Sequence, residues 1–338
     1  MTTSRASQVD LDTTPYYHCI GRCVRRALLC GYDPYSNKDY AHRKAWLLER
    51  LRLLARVFAI DLCAYAVMSN HYHVVLRVDR ERALSWDEDE VLERYSALFK
   101  NVRLQLEVLP DEMRAERVAL YRSRLCDLSW FMRSLNEHIA RRANREDECT
   151  GRFWEGRFKS QPLLDEAGLL TCMGYVDLNR VRAGACQGLE DSDFTSIQER
   201  LVAASARLDD AASVPPEDKT HELVPFADEP GAGARGGALP MTLTDYAELL
   251  DWTGRFARPD KGRVTGAAPS LLQRRGIDPE AWLQTMSRSG LRYLGTLGAC
   301  EHLAQHAERS GKRWLRGVGW ARRMFRADVE RPAFRRAA

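Results

Sequence analysis

The hydrophobic pattern predicts an α+β fold followed by a helical C-terminal portion. Residues 16–29 alternate Tyr17, Cys19, Gly21 and Cys23 against His18, Ile20, Arg22 and Val24, the period of two expected of a strand. Two β-favouring runs, 58–68 and 72–78, flank Ser69-Asn70, turn chemistry that pairs them most simply as an antiparallel hairpin. From Asp87 onward apolar residues recur at helical spacing.

Taken in order, the first strand ends in the basic residues Arg22, Arg25 and Arg26. Leu47, Leu51, Leu54 and Phe58 then mark an amphipathic helix over about 38–56, with Ser36 as its N-cap. After the hairpin come two helical stripes, Val91, Tyr95, Leu98 and Val102, then Leu128, Phe131, Leu135 and Ile139, read together as a helical insertion over 87–148. A helix over 165–183 has Asp165 to cap it and Gly184 to end it. Residues 206–240, rich in Pro and Gly, read as a flexible linker between a 14–205 domain and a helical accessory domain at 241–338.

The 338 residues are 45% hydrophobic and 29% charged, enough to bury a large core. No apolar run reaches membrane-spanning length and residues 1–14 are polar, so a cytoplasmic protein with no membrane partner is expected. Nine scattered cysteines without a Cys-x-x-Cys fit reduced, mostly buried thiols. The net charge is +4, but residues 309–338 hold ten Arg or Lys against two acids, a tail suited to a polyanion.

Three groups of residues carry chemistry. On a strand His71 and His73 share one face, about 7 Å apart along it, and can grip one divalent ion from the same side; an ordinary half-buried pair has the same pattern. Tyr175 and Asn179, one helical turn apart with Arg182 following on that face, would supply a nucleophile, a third metal ligand and a phosphate clamp. The plainer account is a Tyr and an Asn packed on a sheet and hydrogen-bonded there. Arg141, Arg142, Arg152, Trp154, Arg157 and Lys159 interleave cations with aromatics, as a nucleic-acid surface requires, and equally describe a core strand with a solvated basic face.

Together, His71-Tyr72-His73, Gly151-Arg152-Phe153-Trp154 and the run from Tyr175 to Gly184 resemble the single-tyrosine HUH transposases, and more closely the REP-associated tyrosine transposases, over roughly residues 14–200. The resemblance implies a ferredoxin-like α+β domain, an antiparallel sheet with helices on one face, in a homodimer. It implies Mg²⁺ or Mn²⁺ held by His71, His73 and Asn179, with Tyr175 as nucleophile. The substrate it implies is single-stranded DNA near hairpin repeats, cut through a covalent 5′-phosphotyrosine. Arg22, Arg25, Arg141, Arg142, Arg152, Trp154, Arg157, Lys159 and Arg182 are the expected DNA contacts. Arg180 stands where the family usually has Pro. A catalytically silent repeat-DNA-binding protein, and a metal hydrolase in which water attacks and Tyr175 is structural, remain alternatives.

Overall fold

The computed structural model describes residues 9–24, 28–209, 223–229, 237–256, 267–287, 291 and 295–325. Its centre is a four-stranded sheet in the order β4-β5-β1-β6, every neighbouring pair antiparallel: β1 (Tyr16–Arg22), β4 (Ile60–Val67), β5 (His71–Val78) and β6 (Lys159–Leu163). A two-residue hairpin, β2 (Tyr32–Asp33) and β3 (Lys38–Asp39), precedes α1 (Arg43–Val57), so this helix begins later than the sequence pattern suggests. His42, with no side-chain cap bond, stands at the N-cap, while the Ser36 hydroxyl donates to Asp33 within the hairpin.

Four short helices follow the sheet hairpin: α2 (Arg80–Ser85), α3 (Glu88–Ser96), α4 (Val102–Glu107) and α5 (Asp111–Leu125). The fifth, α6 (Leu128–Glu146), packs on α1. It is the crossover that leads to β6, so the chain runs β1-α1-β4-β5-α6-β6 with α2–α5 inserted before α6. The helical stripes were legible; the role of α6 as a layer on the sheet was not.

The two sheet faces are covered differently. Tyr72, Val74, Leu76 and Val78 of β5 join Leu47, Leu51 and Leu54 of α1 and Phe131, Leu135 and Ile139 of α6 in one apolar cluster. Gly21 lies opposite Tyr72, and any Cβ there would sit 2.4 Å from the Tyr72 ring, so the glycine makes room for the aromatic. On the other face, Cys63, Ala64, Ala66 and Val75 pack against α7 (Glu166–Asp177) and the C-terminal helices. The expectation of helices on one face only is therefore corrected. Between its polar residues this second face is still apolar, and leaving it in water would forfeit that burial.

The C-terminal elements are α10 (Leu243–Phe256), α11 (Ser270–Arg274), α12 (Pro279–Ser287), α13 (Cys300–Arg309) and α14 (Val318–Met324), after α9 (Ser196–Asp209). Tyr246, Leu250, Trp282, Leu303 and Met324 share one cluster with Leu169, Met173 and Val176 of α7. Within the expected linker, 210–222 and 230–236 lie outside the described residues. Leu223 to Glu229 is not a flexible tether: Val224 donates to the Leu62 carbonyl and Phe226 is fully buried. Of the basic tail, residues 326–338 lie outside the described residues. Among the described residues no helix is long and apolar enough to cross a membrane.

Candidate active site

Asp165 caps α7 as its type suggests, accepting from the Gly168 amide at 2.6 Å. The helix breaks at Leu178, a short α8 (Asn179–Arg182) continues, and Gly184 ends it with φ +66°, a left-handed conformation that suits glycine. Arg180 is thus the second residue of a fresh helical turn.

α7 lays Tyr175 on the sheet face that carries the histidines. The Tyr175 ring lies edge-on to His73 with centroids 5.7 Å apart, and to His18 at 6.5 Å. His71 and His73 rings are 4.9 Å apart. The Arg182 guanidinium stacks 3.9 Å from the Tyr175 ring centroid, and donates to the Met286 carbonyl of α12 and the Tyr175 carbonyl. Tyr175 is only 3% exposed, with the Arg182 guanidinium over one face of its ring.

The tautomers of the histidine pair follow from their neighbours. His71 Nδ1 is 2.7 Å from the Asn70 side-chain oxygen, an acceptor only, so Nδ1 carries the proton and Nε2 keeps its lone pair. His73 Nδ1 is 2.9 Å from His18 Nε2. Burial pushes His18 down from its ordinary value to about 4, only partly offset by its hydrogen bond to Gln161, so the ring is neutral at physiological pH. Asn179 is buried, and its amide nitrogen has no hydrogen-bond partner. The unsatisfied Asn179 atom is a donor, so it is not itself a ligand, and only the side-chain oxygen of that amide could join the two imidazoles; neutral imidazole lone pairs suit Mn²⁺ better than the strictly oxygen-seeking Mg²⁺. Among the described residues no cluster of three or more His, Cys, Asp or Glu could hold a metal.

The expected DNA contacts fall on different parts of the fold. Arg22 pairs directly across the strands with His71, and Lys159 with Ile20, which in turn faces His73, so both cations stand on the histidine face at its exposed end. Arg152 and Arg157 are exposed on the segment entering β6, where Glu155 donates its amide to the Arg22 carbonyl and its carboxylate lies 3.6 Å from the Arg22 guanidinium. Arg141 and Arg142 sit on α6, over the opposite face, the first paired with Glu137 and the second stacked 3.9 Å over Trp46. Trp154 is half-buried: its indole nitrogen donates to the Asn136 carbonyl and its ring meets Tyr72 and Phe153 edge-on, so it packs rather than offering a free stacking face. Arg25 lies outside the described residues.

Three residues carry weight that sequence reading did not give them. His18 and Gln161 extend the histidine pair across two more strands. Asp177 is buried and accepts from Ser196 Oγ at 2.6 Å, the Ile197 amide at 3.0 Å and Tyr246 Oη at 2.6 Å, locking α7 to α9 and α10. Burial pushes its carboxyl above the usual range.

No family model matches the sequence, and no curated protein matches it. A solved structure described as a REP-associated tyrosine transposase bound to a REP hairpin is similar over 60% of this chain and 87% of its own, at 12% identity and a TM-score of 0.36. A likeness that slight leaves the function to the residues themselves.

Proposed function

We propose that the protein is a metal-dependent tyrosine transposase of the HUH type, with a ferredoxin-like catalytic sheet, that cuts and rejoins single-stranded DNA near hairpin repeats. The observation that carries this reading is the Tyr175 ring lying against His73 on the histidine face, within one chain. A phenol held beside metal-ligating imidazoles is the arrangement a phosphotyrosine-forming reaction needs. Because the phenol and the histidines come from the same chain, the homodimer included in the proposal is not needed to complete the site.

In this reading His71, His73 and Asn179 hold Mn²⁺ or Mg²⁺. The cation, when bound, offsets charge that develops on the scissile phosphate and orients it for in-line attack. Tyr175 Oη forms the new bond to phosphorus, the bond from phosphorus to the 3′ oxygen breaks, and the phenolic proton ends on that departing 3′ hydroxyl. The 5′ phosphate remains as a tyrosyl ester whose bond energy a later 3′ hydroxyl can use to rejoin strands. Arg22 and Lys159, at the exposed end of the same face, neutralise the flanking phosphates, and Arg182, once it leaves the Tyr175 ring, clamps the bound one.

One observation favours the second reading, a catalytically silent repeat-DNA-binding protein: Tyr175 is buried. The two separate on incubation with a single-stranded hairpin oligonucleotide and Mn²⁺. The transposase gives a protein–DNA band that survives denaturation and vanishes completely in Tyr175→Phe. The silent binder gives no such band, and a hydrolase in which water attacks gives cleavage in both proteins without a band.

A further inference from the structure

A line of hydrogen bonds crosses three adjacent strands beneath Tyr175. The Gln161 amide nitrogen of β6 donates to the Leu291 carbonyl at 3.3 Å, which fixes the side-chain oxygen as the end facing His18. That oxygen is 2.9 Å from His18 Nδ1, on β1, and His18 Nε2 is 2.9 Å from His73 Nδ1, on β5. Gln161 stands directly opposite His18 in the β1–β6 register, and His73 opposite Ile20 in the β1–β5 register, so all three side chains share the face that Tyr175 covers. All three are buried, and His18 is stacked on His73 with centroids 5.1 Å apart.

Each link dictates the next. An amide oxygen only accepts, so His18 Nδ1 must carry the proton of the neutral ring. His18 Nε2 is then an acceptor, and His73 Nδ1 must carry the proton that fills that bond. The neutral His73 ring is left with its lone pair on Nε2, the same nitrogen that Asn70 leaves unprotonated on His71.

We propose that Gln161 and His18 are positioning residues that hold His73 in the Nδ1–H tautomer, presenting its Nε2 lone pair as a ligand for the divalent cation. The relay fixes the ring orientation as well as the tautomer, because both bonds run between neighbouring strands whose register is set by the sheet. This deepens the proposed function and rests on it for the identity of the ligand, although the tautomer itself is a property of the protein alone. Outer-sphere partners of this kind typically govern metal affinity by about 10- to 100-fold.

The test uses the full chain labelled with ¹⁵N-histidine, with long-range proton–nitrogen correlation at neutral pH and no metal or DNA; His73 is assigned by the signals lost in His73→Gln. The expected spectrum shows His73 protonated at Nδ1. His18→Phe, which removes the acceptor, shifts His73 toward the Nε2–H form. Gln161→Leu frees both rings to exchange tautomers. Titration with Mn²⁺ alone, followed by its electron paramagnetic resonance signal, is expected to show about 10- to 100-fold weaker binding in His18→Phe and in Gln161→Leu. The inference is overturned by an Nε2–H His73 in the wild type, or by Gln161→Leu leaving both the tautomer and Mn²⁺ binding unchanged. Should His18→Phe not fold, the wild-type spectrum and Gln161→Leu decide. A protein that shows the Nδ1–H form yet never cuts DNA keeps the relay and loses the transposase; one that cuts DNA with an Nε2–H His73 does the reverse.

Discussion

The two faces of one sheet follow opposite rules. On the face toward α1 and α6, β5 contributes Tyr72, Val74, Leu76 and Val78, and the packing is largely apolar, with the Tyr72 hydroxyl donating to Asn136 and the Tyr17 hydroxyl to the Asp10 carbonyl. On the other, the same strand contributes His71, His73 and Val75, and His73 is joined to His18 and Gln161 in one hydrogen-bonded line. A residue shift of one on a strand exchanges the faces, so a single β5 register separates a stability layer from a chemical one. The contrast teaches where each kind of substitution should register: in folding free energy on the first face, in chemistry and titration on the second.

The largest stability effect is expected on the apolar face. Phe131, fully buried and edge-on to Phe58, should cost about 3–5 kcal/mol when changed to Ala, read by chemical denaturation, with the yield of DNA adduct per folded molecule unchanged. A loss of adduct chemistry in the folded fraction would break the division between faces.

A smaller effect belongs to the histidine face and is set by pH. His18 has a folded value near 4 against an ordinary value of 6.5, so between these limits the unfolded chain binds a proton that the folded chain refuses. Stability is therefore full above pH 6.5 and falls as pH drops toward 4, by an amount on the order of 2 to 3 kcal/mol. Asp177, whose carboxyl burial raises, acts in the opposite sense and gains stability on acidification. Comparing denaturation of wild type and His18→Phe across that window isolates the histidine: the variant should lose the steeper part of the acid slope, and parallel slopes would contradict the assignment.

The smallest effect lies at the exposed rim. Arg152→Ala should weaken single-stranded DNA binding by no more than several-fold, uniformly across sequences, and lower the salt slope by about 1, measured by fluorescence anisotropy. Arg141→Ala, on the opposite layer, should change neither, which sharpens the assignment of DNA to the histidine side.

Much of this division was legible in the sequence. The period-two alternation of β1 and β5, the Ser69-Asn70 turn and the Asp165 cap all depend on local chemistry, and they place His71, His73 and Tyr175 on recognisable elements. His18 was visible as a strand residue on the Ile20 and Arg22 side, but its meaning depends on which strand pairs with β1 and in what register, a long-range fact no local pattern contains. The same limit hid α6 as the crossover before β6. Trp154 misled because an aromatic beside arginines reads equally as a stacking platform or as packing, and the choice turns on Tyr72 and Phe153, distant or adjacent neighbours that only the fold brings edge-on. The 223–229 segment was masked by Pro225 and the nearby glycines, whose loop character outweighed the apolar Leu223, Val224 and Phe226.

The most direct measurement is to locate the bond itself. After reaction with a single-stranded hairpin oligonucleotide and Mn²⁺, nuclease trimming and proteolysis, mass spectrometry of the peptides should find a nucleotide phosphate on Tyr175 and on no other residue. A nucleotide carried by a different side chain, or cleaved DNA with every tyrosine unmodified, would contradict the account.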